Sequence, residues 1–268
     1  MDRKRLALST FLLPGMDLWR WLALAADLGL GGVELRADPG MAHADDLGPV
    51  DRRRLREAAR DAGLWLTVHV PIYGVNLVSP IRSLAAASLA EAVATVDLAA
   101  DLGAGLVVVH PGGIPEDYAA LDGEYERAWR RFMFALALLV PHAGRRGVRT
   151  ALENKQQGRD RDLVLTLEEH VRALAPFPEL GACLDFGHLH TVGGDPRAFV
   201  AALGNRLIHV HLHDNHGQGD EHLPLGHGDA PWAEALAALS DHGYTGCVVL
   251  EIPDQAGLRE SAAAVIGA

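Results

Sequence analysis

The most constraining feature of the sequence is a unit that recurs along the chain. An Ala- and Leu-rich amphipathic stretch ends at a glycine and a short apolar run follows, as in LREAARDAGLWLTVHV and VDLAADLGAGLVVVH. The glycines that close these stretches are Gly29, Gly63, Gly103, Gly147 and Gly243. Glycine there favours the left-handed cap that ends a helix, and the apolar runs are typical of parallel strands buried on both faces. The repeat predicts alternating helices and parallel strands.

Eight such strands are expected in the 268 residues. They are predicted near residues 5–10, 32–36, 64–69, 106–110, 148–153, 181–185, 206–212 and 246–251. Eight strand–helix units in a chain of this length are typical of a TIM barrel. A doubly wound open sheet is the competing α/β architecture, but no GxGxxG follows the first strand. We therefore expect one (β/α)8 TIM barrel domain over residues 1–268.

The charge balance bears on the partners. The formal net charge is −11, and the only lysines are Lys4 and Lys155. The arginines are scattered along predicted helices, whereas nucleic-acid-binding proteins normally concentrate basic residues on one face. The sequence therefore argues against a nucleic-acid partner.

Other features indicate the compartment. The two cysteines, Cys183 and Cys247, lie in apolar segments, which is typical of reduced core residues rather than of a disulfide framework. Charges such as Asp27 and Glu34 break every apolar run, so no stretch is expected to approach a membrane span. The start of the chain resembles a signal peptide, but polar residues interrupt its apolar run, and a buried first strand is expected instead. We expect a cytoplasmic protein without membrane contact.

Seven consecutive predicted strands end in a side chain that can titrate or bind a metal. From the second strand to the eighth, these side chains are Glu34, His69, His110, Glu153, Asp185, His211 and Glu251. The strand ends of a TIM barrel gather on its C-terminal face, where active sites lie. The pattern therefore predicts an active site on this face.

Four of these residues form the predicted metal site. Glu153, Asp185, His211 and Glu251 offer three carboxylates and one imidazole, a donor set suited to Mn²⁺, Mg²⁺, Co²⁺ or Zn²⁺. Without a cation, three carboxylates brought together would raise one another's pKa. Any one of them alone could instead cap a helix or pair with an arginine, but the four together favour a metal.

Further histidines and one aspartate are predicted around this site. His69 and His110 end adjacent strands, His188 follows the sixth strand, and Asp220 and His222 lie in the long loop after the seventh. They are expected to bind a second or third cation or to contact substrate oxygens.

Other polar residues are assigned from their place in the pattern. Glu34, Lys155 and His213 are predicted substrate contacts, with a solvated role as the alternative for Lys155 and His213. His209 lies deeper on the same strand face as His211 and is expected to be a hydrogen-bonded barrel histidine. His170 falls in a helical segment and is expected to be solvated.

Several motifs then carry a family resemblance over essentially the whole chain. They are VELR, HVPIYGVNL, VVHPGG, ALEN, LDFGH, HVHLHDN followed by DEHLPLGHGD, and VVLEIP. Together they resemble the xylose isomerase-like TIM barrels, which include sugar isomerases and epimerases and the endonuclease IV-type AP endonucleases.

The resemblance implies two alternative sites. In the epimerase branch, Glu153, Asp185, His211 and Glu251 would hold one divalent cation, with the glutamates as acid and base and His188 on a substrate oxygen. In the endonuclease branch, a three-zinc cluster would add five ligands to those four. These are His69, His110, His188, Asp220 and His222.

Departures from the endonuclease pattern favour the sugar branch. LDFGH has Phe186 and Gly187 where the endonucleases usually carry a Thr-Cys pair, and the basic loops that clamp DNA are not evident. We expect a metal-dependent isomerase or epimerase that acts on a small sugar, sugar phosphate or hydroxy-ketone through a metal-stabilised enediolate, catalysed by Glu153, Glu251 and His188. The alternatives are an AP endonuclease with more than one zinc, a dehydratase, and a barrel that binds a metabolite without turnover. A homo-oligomer is compatible with the sequence.

Overall fold

A computed structural model of the chain describes residues 2–267 and has a closed parallel barrel at its centre. In chain order the strands are β1 (Leu6–Ser9), β2 (Gly32–Arg36), β3 (Trp65–His69), β4 (Leu106–Val109), β5 (Gly113–Ile114), β6 (Arg149–Glu153), β7 (Arg161–Asp162), β8 (Leu180–Asp185), β9 (Leu207–Leu212) and β10 (Cys247–Leu250). All except β5 and β7 belong to the barrel, which β10 closes by pairing with β1. The predicted TIM barrel is confirmed, and each barrel strand begins and ends within one residue of its predicted bounds.

The helices surround the barrel and end as the glycine pattern predicts. They are α1 (Leu18–Asp27), α2 (Pro49–Asp61), α3 (Arg82–Leu102), α4 (Glu116–Ala119), α5 (Glu124–Arg145), α6 (Leu167–Leu174), α7 (Phe186–Thr191), α8 (Pro196–Leu203), α9 (Trp232–Asp241) and α10 (Gln255–Gly267). The glycines with a predicted left-handed cap have φ between +67° and +73°: Gly29, Gly63, Gly103, Gly147 and Gly243. A side chain would be strained in this conformation, so the glycines fix where the helices stop.

Helix α3 corrects the expectation that no segment approaches a membrane span. With 21 residues and a mean hydropathy of 1.4, it is long and apolar enough to cross a bilayer by length and composition alone. One face of α3, which includes Val96 and Leu98, is buried where the helix packs beside α5 and against β3 and β4. Its apolar composition therefore serves the barrel core.

The interior of the barrel changes from apolar to polar along its axis. Side chains of a barrel strand point alternately inward and outward. Leu106, Val108, Ala151 and Cys183 form a small apolar cluster that is separate from the main core between barrel and helices. Cys183 is a free, buried thiol, as predicted. Above this cluster the inward-facing positions become carboxylates and imidazoles, which places the polar site at the strand ends.

Two features of the fold escaped the sequence patterns. The short strands β5 and β7 pair antiparallel outside the barrel, and two residues are too few to show periodicity. The expectation for His170 is wrong, because this side chain in α6 is fully buried and its Nε2 donates to the Leu152 carbonyl oxygen at 3.0 Å. Its partner lies on β6, so the imidazole ties helix to barrel.

Candidate active site

The four predicted metal ligands come together at the C-terminal end of the barrel. Glu153 and Asp185 end β6 and β8, His211 lies in β9, and Glu251 follows β10. One donor atom from each lies within 4.8 Å of the others, and all four residues are buried. His211 Nδ1 is 2.9 Å from Glu153 Oε1 and 3.5 Å from Glu251 Oε1. We call these residues the four-residue site.

Asp185 shows that the four-residue site fits a cation. Its Oδ1 accepts the His188 backbone N–H at 2.7 Å and caps α7, whereas its Oδ2 is buried and has no hydrogen-bond partner in the described part of the chain. A buried carboxylate oxygen without a donor is costly. Three carboxylates around one imidazole, with one oxygen unsatisfied, match the donors that divalent cations prefer in proteins.

A second donor group shares Glu153. His69 Nε2 and His110 Nε2 lie 3.0 and 2.8 Å from Glu153 Oε2. The other ring nitrogen of His69, Nδ1, lies 2.7 Å from the Val70 carbonyl oxygen. Because a carbonyl oxygen can only accept a hydrogen bond, Nδ1 carries a proton. Nε2 is therefore the ring nitrogen of His69 that could bind a cation.

A third donor group surrounds Asp220 in the loop after β9. Nε2 of His188 and of His222 each lie 3.3 Å from Asp220 Oδ2, and His213 Nε2 lies 3.3 Å from Oδ1. His222 has a left-handed backbone with φ of 50°, which is strained for a residue with a side chain. Its Nδ1 donates to the Glu251 carbonyl oxygen at 2.8 Å. The loop is therefore held in a costly conformation that aims this imidazole at Asp220.

Charge pairs between imidazoles and carboxylates dominate the electrostatics. Burial opposes ionisation of Glu153, but nearby imidazoles, led by His211, hold its pKa well below the ordinary value. Burial also opposes a charge on His188, yet the carboxylates of Asp185 and Asp220 raise its pKa to about 10. A proton on His188 thus balances the carboxylates beside it at neutral pH, whereas burial lowers the pKa of His110 to about 3 and keeps that imidazole neutral.

The predicted substrate contacts occupy different depths. Lys155 Nζ lies 3.4 Å from His110 Nδ1, and the residue is 8% exposed. His213 is buried within the third donor group. Glu34 is fully buried beneath His211, with Oε1 2.9 Å from His211 Nε2. His209 is hydrogen-bonded inside the barrel, as predicted, with Nε2 2.7 Å from Glu34 Oε2.

Two supporting residues were missed by the sequence patterns. Asn154 is fully buried and hydrogen-bonds to the backbone of Asp185, which joins the ends of β6 and β8. Asp214 accepts backbone N–H groups of Asn215, Gly226 and Ala230 and so shapes the loop that carries the third donor group. Both lie within motifs, ALEN and HDN, but no periodicity distinguishes a supporting side chain from a ligand.

Comparison with known proteins agrees with this architecture. The model of the xylose isomerase-like TIM barrel family matches residues 22–266. Uncharacterized protein MJ1311 of Methanocaldococcus jannaschii is 32% identical over 218 residues, which cover 76% of this chain and 70% of that protein. Fructoselysine 3-epimerase of Shigella flexneri is 23% identical over 233 residues, covering 85% and 82%.

A solved structure is also similar over nearly its full length. The crystal structure of a D-tagatose 3-epimerase-like protein superimposes with a TM-score of 0.84 and 25% identity, covering 98% of this chain and 96% of the other. The closed barrel, the match to the family model and the superposition all indicate the same fold, and the last two cover nearly the whole chain. The protein therefore belongs to the xylose isomerase-like TIM barrel family.

Proposed function

We propose that the protein is a metal-dependent isomerase or epimerase that acts on a small sugar, sugar phosphate or related hydroxy-ketone. The observation that carries this proposal is the four-residue site, where Glu153 and Glu251 both approach His211 Nδ1 at the mouth of the barrel. Two carboxylates beside one cation position are what proton removal and proton return at a sugar carbon require.

Similarity to named epimerases supports the substrate class. Fructoselysine 3-epimerase and the D-tagatose 3-epimerase-like protein both have names that refer to epimerisation at carbon 3 of a sugar. Because fold alone does not determine function, the main support for the proposed function is the set of carboxylates at the strand ends.

The four-residue site would hold the divalent cation, with Mn²⁺, Mg²⁺, Co²⁺ and Zn²⁺ all compatible with its donors. When bound, the cation supplies Lewis acidity toward the carbonyl and adjacent hydroxyl oxygens of the substrate. All four residues are buried, and charge interactions are stronger at buried positions than in bulk water.

The proton transfers are assigned to the two glutamates. One carboxylate removes the proton from the carbon next to the carbonyl, which gives an enediolate. The other returns a proton to the opposite face for epimerisation, or to the neighbouring carbon for isomerisation. Both oxygens of Glu153 lie within 3.0 Å of imidazole nitrogens, whereas among residues 2–267 the nearest imidazole nitrogen to a Glu251 carboxylate oxygen is 3.5 Å away. Glu251 is thus the freer of the two to approach substrate.

His188 and Lys155 are proposed to hold substrate oxygens. His188 is 3% exposed, and its Nδ1 donates to the Asn154 carbonyl oxygen at 2.9 Å. This contact fixes the ring so that Nε2 faces Asp220 Oδ2, 3.3 Å away in the third donor group. The Lys155 ammonium, beside His110, lies where it can donate to a hydroxyl or an anionic group.

A second candidate function is a zinc-cluster phosphodiesterase of the AP endonuclease kind. The specific observation in its favour is that the second and third donor groups offer imidazoles and carboxylates that could hold further cations beside the four-residue site. The net charge of −11 opposes binding to a phosphate backbone.

We also propose a cytoplasmic location, which the two free cysteines support.

The experiment that tests the proposal combines metal analysis with a substrate panel. Purified protein is analysed for bound metals and then incubated with ketoses, including D-tagatose and fructoselysine, and with abasic DNA. At least one equivalent of divalent cation and conversion of a ketose are expected. Cleavage of abasic DNA without any sugar conversion would move the assignment to the phosphodiesterase.

A further inference from the structure

A buried polar chain lies directly beneath the four-residue site. Glu34, on β2, is fully buried inside the barrel. Its Oε2 accepts from Thr67 Oγ1 at 2.8 Å and from His209 Nε2 at 2.7 Å. The other ring nitrogen of His209, Nδ1, lies 3.0 Å from Cys247 Sγ. The carboxylate is therefore held from two sides, by a threonine on β3 and by an imidazole on β9.

The remaining oxygen of Glu34 faces the metal ligand His211. Glu34 Oε1 and His211 Nε2 form a buried ion pair with 2.9 Å between the two atoms, and no side chain or backbone group of residues 2–267 hydrogen-bonds to either atom. An ionised carboxylate only accepts, so it requires a proton on Nε2. The opposite ring nitrogen, Nδ1, points at Glu153 and Glu251. Nδ1 is therefore the ring nitrogen that is placed to bind a cation, while Nε2 faces Glu34.

Stability alone does not explain a carboxylate at this depth. Burying an ionised group is expensive even when it is fully paired, and an apolar residue of similar volume is often more stable. The apolar cluster around Val108 and Cys183 shows that the barrel interior accepts such residues. The contacts of Glu34 therefore point to a role at the site above it.

We propose that Glu34 is a positioning residue for the metal site, an inference that rests on the metal dependence in the proposed function. Glu34 acts through His211: it fixes the ring orientation, keeps the proton on Nε2 and makes Nδ1 a stronger donor. It touches neither the substrate nor the cation. This role differs from the substrate contact that the sequence pattern predicts for Glu34.

The variant Glu34→Gln isolates this role. The amide keeps the size of the side chain but replaces one oxygen by NH₂, so whichever way it turns, an N–H group faces an imidazole N–H. We expect the affinity for Zn²⁺, measured by competition with a chromophoric chelator on metal-stripped protein, to fall by about 10- to 100-fold. Glu34→Asp keeps the charge and should recover part of the loss.

A matched control separates positioning from stability. Glu124 is also a buried glutamate, but it lies on α5 and pairs with Arg127 and Arg131. Glu124→Gln should lower the melting temperature and leave the Zn²⁺ affinity within about threefold of wild type.

Nitrogen-15 NMR of the zinc-loaded protein reports directly on the protons of the His211 ring. A Glu34 side chain that only stabilised the fold would leave this signal unchanged. In wild type, His211 should show a proton on Nε2 with the downfield shift of a bond to a carboxylate, assigned by its absence in His211→Gln. In Glu34→Gln that signal should move or vanish.

The result that overturns the inference is a folded Glu34→Gln protein with wild-type Zn²⁺ affinity and an unchanged His211 signal. If Glu34→Gln does not fold, Glu34→Leu takes its place, and an unchanged affinity and signal in that variant would overturn the inference equally. A wild-type protein that binds no divalent cation would overturn both this inference and the metal dependence on which it rests. Zinc affinities that change as predicted, in a protein that converts no sugar, would support the role of Glu34 and contradict only the proposed function.

Discussion

Asn154 and Asp185 exchange two hydrogen bonds across the ends of β6 and β8. Asn154 Nδ2 donates to the Asp185 carbonyl oxygen at 3.0 Å, and Asp185 N donates to Asn154 Oδ1 at 2.8 Å. Both residues are fully buried. This exchange holds the backbone of Asp185, a proposed metal ligand, directly beside the strand that carries Glu153, so an amide without catalytic chemistry sets the geometry of the site.

Replacing Asn154 by Ala should therefore damage both stability and metal binding. The change leaves the buried Asp185 N–H unpaired and removes one donor from the Asp185 carbonyl oxygen, which costs about 1 to 3 kcal/mol of unfolding free energy. Urea unfolding and Zn²⁺ titration measure the two effects. The exposed Asn205→Ala control should change neither, and wild-type values for Asn154→Ala would refute the supporting role.

Gly187 should be intolerant of any side chain, because His213 packs against it. A Cβ on Gly187 would lie 2.1 Å from His213 Cε1, so Gly187→Ala must push this imidazole away from Asp185 and Asp220. We expect a loss of about 1 to 3 kcal/mol in unfolding free energy and weaker binding of any cation beyond the first.

The control for this change is Gly144→Ala, which lies in α5 where an added Cβ meets nothing within 4 Å. Alanine favours a helix interior over glycine, so this variant should be equal or slightly more stable. The melting temperature and the metal content of the two variants are compared. If Gly187→Ala matches Gly144→Ala in both, the His213 side chain can move without cost and the prediction is wrong.

His170 should make the protein less stable in mild acid. Burial lowers the pKa of His170 to about 4, whereas an unfolded histidine titrates near 6.5. Between these values the unfolded chain binds a proton that the folded chain does not, so the free energy of unfolding falls as the pH falls from about 6.5 toward 4. In His170→Gln, which can still donate to Leu152, about 2 to 3 kcal/mol of the fall between pH 7 and 4.5 should be missing.

The measurement is urea unfolding of both proteins at the two pH values, and only their difference is used because other histidines also titrate. His242→Gln, at an exposed position, should keep the wild-type pH dependence. Parallel curves for wild type and His170→Gln would show that His170 does not remain neutral in the folded protein.

The barrel and its polar rim could be predicted because each depends on local patterns. Helix caps at residues such as Gly103 and short apolar strands repeat often enough to count eight units, and a barrel brings consecutive strand ends to one face. Thus Glu153 and Glu251 could be placed together although 98 positions separate them in the sequence.

Contacts that depend on depth and rotamer could not be predicted. The same alternation that places Glu34 inside the barrel does not say that it lies one layer below the ligands. His170 looked like a surface residue because a helical pattern does not reveal which polar side chain reaches a strand carbonyl. The supporting role of Asn154 depends on how closely its side chain approaches the backbone of Asp185, which neither composition nor periodicity reveals.

The central claim is that Glu153 and Glu251 transfer a proton at the carbon next to a substrate carbonyl. The most direct test is incubation of the metal-loaded protein with its ketose in D₂O, with deuterium located by NMR and the metal content measured for each variant. Wild type should place deuterium on that carbon. Glu153→Gln and Glu251→Gln should lose about 10²- to 10⁴-fold in exchange rate, because an amide cannot accept the proton. A Glu251→Gln protein that retains its metal and exchanges deuterium at the wild-type rate would contradict the two-glutamate mechanism.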